Sequence, residues 1–249
     1  MSADALIEET TEQRIRRVAT QMFYERGYHG TSMRDIAAGA GIKAGSMYNH
    51  YAGKQEILFR ICHDTARDLQ VGAARRLEGV DEPAEQLERF VHWHVQFHAR
   101  NRFAARVADD QLEALTPEHR AAVVEARDRH EALLKEILER GERDAGWTVE
   151  NRSVISFAIG TMCTEVDSWY REDGPLTPEQ IGDVYAQFIL RGLRAVPGEA
   201  PAPRRARPAR ARAVRRAAGR AARAARDGAP GRAARSSRAA ARRGRRSGA

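Results

Sequence analysis

From Thr11 to Arg194 the apolar residues return every three or four positions, and no run between turn formers alternates apolar with polar residues. That spacing lines one face of a helix and offers no strand signal, so the chain is confined to all-α folds. The punctuation agrees. Thr116-Pro117-Glu118 and Thr177-Pro178-Glu179 each join a capping threonine, a proline that needs no N–H at the first helical position, and a carboxylate for the positive helix end. Gly27, Gly39-Ala40-Gly41, Asp81-Glu82-Pro83 and Asp173-Gly174-Pro175 interrupt the pattern. Nine helices are predicted, at about 11–26, 32–39, 43–51, 54–77, 83–100, 102–114, 117–143, 150–171 and 177–194.

The first helix buries Ile15, Val18, Ala19, Met22 and Phe23 on one face, with Thr10 or Thr11 as N-cap and Gly27 as terminator. In the second, Ser32 and Asp35 have capping-box spacing, with Asp in place of the usual Glu, and Ile36 and Ala37 turn inward. A third short helix follows within three or four residues, the spacing of a helix-turn-helix. Gly41 suits the tight turn, Ile36, Ile42 and Met47 make a small core, and Gly45-Ser46 keeps the start of the third helix slim enough to approach base edges. Tyr48, His50 and Lys54 offer donors for phosphate oxygens, and Lys54 also stands near the N-terminus of the fourth helix. Packing roles for Tyr48 and Tyr51, and a plain surface charge for Arg34, stay open.

Charge must be read by region. The net +8 of the chain conceals seventeen arginines against Glu199 and Asp227 in residues 199–249, which leaves residues 1–198 at a net −7. DNA binding therefore has to rest on local residues rather than on a generally basic surface. Residues 197–249, almost entirely Ala, Arg, Gly, Pro and Ser, cannot form a packed core and are expected to be a disordered tail. Two readings of the tail are open: a salt-dependent, sequence-independent anchor on polyanions, or a translation extension. A nonspecific nucleoid-associated protein acting through that tail is the alternative for the whole chain; deleting residues 197–249 would then abolish nearly all DNA affinity.

Cys62 and Cys163 lack metal-ligand spacing and suggest no disulfide framework. No apolar run approaches a membrane span, and Met1-Ser2-Ala3-Asp4 opens no signal peptide. A cytoplasmic protein without cofactor or metal is expected. An enzyme would need a nucleophile with its base, paired carboxylates or a phosphate-cradling loop, and no such constellation occurs.

The segment Thr31-Ser-Met-Arg-Asp-Ile-Ala-Ala-Gly-Ala-Gly-Ile-Lys-Ala-Gly-Ser-Met-Tyr-Asn-His-Tyr51, followed by Ala-Gly-Lys54, resembles the TetR family of repressors over residues 12–58. The resemblance implies a three-helix DNA-binding domain at 1–55 and a ligand-binding and dimerisation domain at 56–196, nine helices in all. It places residues 43–50 in the major groove of a palindromic double-stranded operator. Ala44, Gly45 and Ser46 then lie near bases, Tyr48, His50 and Lys54 at the phosphates, Asn49 on the same DNA-binding surface, and Arg34 near a base or the backbone. One departure is Lys43, where many members carry Ser or Thr: the third helix loses its capping side chain and Lys43 is freed for DNA.

In that family the last two helices pair with those of a second subunit, and a homodimer sets two reading heads one DNA turn apart. Ile155, Ile159, Gly160, Val184, Tyr185 and Phe188 are the expected interface; an intramolecular core is the competing use of these faces. His94 and His98 share a stripe with Leu87 and Val91, and His130 shares one with Val123, Leu133, Leu134 and Ile137. Three uses are open for these imidazoles: polar groups in a ligand pocket, a metal site, or hydrogen-bonded core residues. Trp169-Tyr-Arg-Glu-Asp-Gly-Pro-Leu-Thr-Pro-Glu, with the histidine-rich fifth helix, resembles regulators of lipid or steroid breakdown that respond to acyl-coenzyme A thioesters. The implied pocket for an apolar or acyl-coenzyme A effector is lined by Phe90, Trp93, Phe97, Phe103, Leu134, Phe157 and Met162 beside the three histidines, with Arg100, Arg102 or Arg106 at its mouth or as ordinary surface residues.

Overall fold

The computed structural model describes residues 9–194, and every regular element among them is helical. The expected tail at 197–249 lies outside the described residues. The elements are α1 (Thr11–Arg26), α2 (Met33–Gly39), a 3-10 helix (Ala44–Asn49), α3 (Lys54–Leu77), α4 (Pro83–Arg100), α5 (Arg102–Asp110), a 3-10 turn (Leu112–Ala114), α6 (Pro117–Asp144), α7 (Arg152–Thr164), α8 (Val166–Trp169) and α9 (Pro178–Leu193). The all-α expectation holds, with nine α-helices among the described residues.

Local chemistry starts and stops these helices where the residues place it. Thr10 with Gln13, Ser32 with Asp35 and Thr177 with Gln180 form reciprocal capping boxes, and Thr116 caps α6; each such cap is worth about 1 kcal/mol. Gly27 and Gly41 take φ of +73° and +67°, which a side chain would strain.

Three boundaries differ from expectation. The third helix is a 3-10 element of six residues: Lys43 gives no capping oxygen, and the backbone closes i→i+3 bonds such as Ser46 N–H to Lys43 O at 2.9 Å. The helix expected over 102–114 stops at Asp110, where the Gln111 side chain instead accepts the Tyr28 N–H at 3.1 Å. The helix expected over 150–171 breaks at Glu165, where ψ relaxes to −6°, and ends where Tyr170 becomes extended at ψ 139°.

Two apolar clusters organise the packing. In the first, Ile15, Phe23, Ile36 and Met47 of the small N-terminal unit meet Ile57, Leu58 and Ile61 of α3, and the cluster continues to Val107 of α5, Leu115, and Val123 of α6. The N-terminal unit is thereby seated on the body by shared burial. The second cluster surrounds α4, whose Leu87, Phe90, Val91 and Val95 meet Leu134 and Leu138 of α6, Ile159 of α7, and Ile181 and Leu190 of α9. α4 is the axial helix of the body, and α3 belongs to both clusters.

Candidate nucleic-acid interface and inner cavity

The 3-10 helix is anchored by one side chain and open elsewhere. Met47 is fully buried between α2 and α3, while Lys43, Ala44, Gly45, Tyr48, Asn49 and His50 are exposed and Ser46 is half-buried. Tyr48 stands 62% exposed beside it, so its hydroxyl is free to meet a phosphate. Arg34 is exposed on neighbouring α2. Tyr51 is buried, and that burial pushes its hydroxyl up to about 12; it packs the unit.

Lys54 departs from the expected placement. Its ammonium donates to the carbonyls of Tyr28 and Thr31, each at 2.7 Å, and lies 4.1 Å from the centre of the Tyr28 ring. Burial lowers its pKa. The lysine expected at the phosphates instead clasps the α1–α2 connection to the first turn of α3, where Thr31 O and Tyr28 O, the latter also accepting the Thr31 N–H at 3.4 Å, both meet its ammonium.

The expected pocket residues divide. His94, Phe97, His98 and His130 line one cavity of about 160 Å3 between α3, α4, α5 and α6, together with Thr65, Ala66, Leu69, Asp109, Arg127 and Thr164. Phe90 and Leu134 sit behind it in the core, with Phe90 stacked on His130 at 4.7 Å between ring centres. Met162 is half-buried against the second cluster. Phe103 lies on an outer groove of about 510 Å3 lined by Arg16, Arg17, Asp64, Arg100 and others; Thr65 and Phe97 border both spaces.

Two pocket expectations are corrected. Trp93 is wedged between α3 and α4: its ring occupies the place of a side chain at Gly72, its N–H donates to Leu69 O at 2.7 Å, and Arg76 covers the ring at 3.7 Å. Phe157 is 72% exposed, because α7 turns Ser156, Ile159 and Cys163 inward and leaves Phe157 on the opposite side. Of the expected mouth arginines, Arg100 pairs with Glu179 at 2.6 Å, Arg106 pairs with Asp110 at 3.1 Å, and Arg102 lies over the Phe103 ring.

The expected dimer face divides too. Val184 and Phe188 on α9 are exposed, and so are Val154, Phe157 and Trp169. Ile159 is corrected: it is buried within its own subunit in the cluster around α4. Ile155 and Tyr185 are half-buried against that cluster. Apart from its chain neighbours and its own helix backbone, nothing lies within 4 Å of where a Cβ would stand on Gly160.

Thr65, Ala66, Asp109, Arg127 and Thr164 were not expected at the cavity. Ile57, Leu58, Ile61, Thr65 and Leu69 share one stripe of α3, a pattern that by itself reads as ordinary core. Arg127 donates to Ala108 O at 2.9 Å and to Asp109 at 2.8 Å, a tertiary pairing with no sequence signature. Among the described residues no His, Cys, Asp or Glu group has the arrangement to hold a metal ion, and no helix is long and apolar enough to cross a membrane.

Burial and the neighbouring imidazoles hold His94 well below its ordinary value, and burial with His98 holds His130 at about 3. Both are neutral in the fold, so below pH 6.5 the unfolded chain takes up their protons first. Stability from these groups is whole above about pH 6.5 and declines as pH falls toward the folded values, by up to about 1.4 kcal/mol per pH unit for each. Urea unfolding between pH 6.5 and 4.5 should show His130→Phe losing stability less steeply than the parent; equal slopes would refute the buried neutral state.

Two family descriptions match the chain: "Bacterial regulatory proteins, tetR family" over residues 15–61, and "Tetracyclin repressor-like, C-terminal domain" over residues 80–193. The HTH-type transcriptional repressor KstR2 of Mycobacterium tuberculosis is 32% identical over 182 residues, 71% of this chain and 89% of the relative. The solved structure of PfmR, a TetR family transcriptional regulator from Thermus thermophilus, superposes with a TM-score of 0.67 and 32% identity, covering 73% of this chain and all of that one. AibR, solved with isovaleryl coenzyme A and operator DNA, shares the fold at a TM-score of 0.65 and 23% identity, covering 72% and 97% of the two chains.

Proposed function

Since the chain belongs to the TetR family of DNA-binding transcriptional regulators, we propose that it is a homodimeric repressor that holds a palindromic operator through Lys43–His50 and leaves it when a small apolar or acyl-coenzyme A-type ligand enters the body. The observation that carries this reading is α3. Its first turn holds the N-terminal unit through Lys54, and its later turns supply Thr65, Ala66 and Leu69 to the cavity wall. An occupant of the cavity therefore bears on the helix that sets the position of the reading head. Release requires the ligand to prefer one spacing of the two heads, since equal affinity for both shifts nothing.

The outer groove favours an amphipathic ligand. Arg16, Arg17 and Arg100 line it; Arg17 and Arg100 pair with the exposed carboxylates of Glu9 and Glu179, and such pairs exchange partners at little cost. Anionic groups of a ligand can take their place while its apolar end passes Thr65 and Phe97. On the DNA side, Ala44, Gly45 and Ser46 approach bases, with Arg34, Lys43, Tyr48, Asn49 and His50 along the phosphates.

Mobility shift with the DNA upstream of the chain's own gene, with and without a panel of acyl-coenzyme A esters, tests both halves. Tyr48→Ala should weaken the complex about 10- to 100-fold, the worth of a hydrogen bond to a charged oxygen, and leave unfolding stability unchanged because the ring is exposed. Undiminished affinity in that variant would sink the assignment of the reading surface. Retardation that no ester alters would remove the thioester from the proposal.

A further inference from the structure

The connection from α5 to α6, residues 111–115, is pressed onto the N-terminal unit. Leu115 is buried in the first apolar cluster, and Leu112 and Ala114 pack against it. The backbone of Gln111 is satisfied locally: its N–H donates to Val107 O and its carbonyl accepts the Ala114 N–H, each at 3.0 Å. The side chain is therefore spare, and Gln111 Oε1 accepts the Tyr28 N–H at 3.1 Å. Three residues on, Ala114 O accepts the side-chain amide of Gln55, in the first turn of α3, at 2.5 Å.

Tyr28 is consequently gripped from two sides. Its N–H is held by Gln111 of the body, and its carbonyl by Lys54 of α3 at 2.7 Å. The residue is buried, so a bond lost at either group is not replaced by water while the unit keeps its place. Beside this point Tyr24 meets the Phe103 ring of α5 edge-on, with 4.8 Å between ring centres. That contact is apolar and tolerates sliding, whereas a hydrogen bond weakens steeply as its angle bends. A head joined to the body by α3 alone could swing about that helix; a hydrogen-bonded attachment to a second element removes the swing.

We propose that Gln111 is a positioning residue for operator reading: by holding Tyr28 it fixes the angle of the reading head on the body, and with it the separation of half-sites that the dimer accepts. The proposal rests on the homodimeric, operator-binding reading above and adds which residue sets its spacing selectivity. One added base pair moves a half-site by about 3.4 Å along the duplex and about 35° around it. A held head cannot follow that displacement and loses its contacts; a swinging head can. The acceptor matters rather than the bulk of the side chain. Without it the Tyr28 N–H is buried and unpaired in the held position, and that penalty is relieved only when the head swings out to water.

The test uses the full chain and the duplex that the parent protein enriches from a random-sequence pool, with versions of that duplex carrying one base pair more or one fewer at the centre. Affinities are read by fluorescence anisotropy. The parent should lose about 100-fold or more on either change, the avidity of its second head. In Gln111→Leu, which keeps the size and removes the acceptor, that loss should shrink about tenfold, the worth of one buried hydrogen bond. Gln111→Glu, whose carboxylate still accepts the Tyr28 N–H, should keep the parent's profile. Gln55→Met, which frees Ala114 O, should move the profile the same way as Gln111→Leu and decides the matter if the latter does not fold. A merely structural role would weaken all three duplexes alike and leave their ratios in place. That result, or Gln111→Glu behaving as Gln111→Leu, would overturn the proposal while the repressor reading stands. A pool from which the parent enriches no duplex would remove the DNA-reading premise, and this proposal with it.

Discussion

Phe188→Glu is expected to give a folded monomer that holds its operator about 100-fold or more weakly than the parent, the avidity lost when two linked heads become one. Phe188 is 69% exposed in a single chain, so glutamate there meets water and the monomer keeps its core. In a two-fold pair the same change occurs twice on one self-complementary surface. Each carboxylate must then be desolvated or the surface must open, and uncompensated burial of a charge costs several kcal/mol. Val154, Phe157 and Val184 are likewise exposed and apolar. Sedimentation should show one chain where the parent shows two, with unchanged helical circular dichroism. A dimer that survives with its operator affinity intact would mean that this face has another use.

Gly141→Ala is expected to destabilise the protein by about 1–3 kcal/mol, the usual cost of overpacking. Helix propensity taken alone predicts the opposite, a gain of about 1 kcal/mol for replacing glycine inside a helix. Gly141 lies in α6, and a Cβ there would overlap the ring of Trp147, which folds back on it and donates its backbone N–H to Gly141 O at 3.0 Å. Trp147 is buried, and the next residue bonds the end of α9, Thr148 N–H to Leu193 O at 2.9 Å. The glycine is therefore a socket that fixes where α9 closes on the body. Thermal or urea unfolding of the variant gives the sign directly, and a stabilised protein would show that the indole moves aside freely.

The turn at Gly41 and the exposed short helix after it were almost wholly legible. Gly41, Met47 and the slim Ala44-Gly45 step obey rules that span fewer than ten residues, and Lys43 announces the missing cap that leaves a 3-10 helix. Lys54 was misplaced because its acceptors, Tyr28 O and Thr31 O, lie 26 and 23 residues away. The cavity was half legible: a stripe puts His94 and His98 inside with Leu87 and Val91, yet Arg127 and Asp109 join it through a contact between α5 and α6. On α7, apolar residues go almost all the way round, so their spacing carries no phase. Phe157 and Ile159, two positions apart, exchange the expected inner and outer places for that reason.

By itself the sequence determined the helical class, the caps and turns, and the exposed short helix after Gly41, because each depends on atoms within one or two helical turns. Tertiary structure alone decided the azimuth of α7, the partner of Lys54, the socket at Gly141 and the histidine cavity. Those depend on which distant side chains compete for the same space, and that competition is resolved only when the helices close on one another.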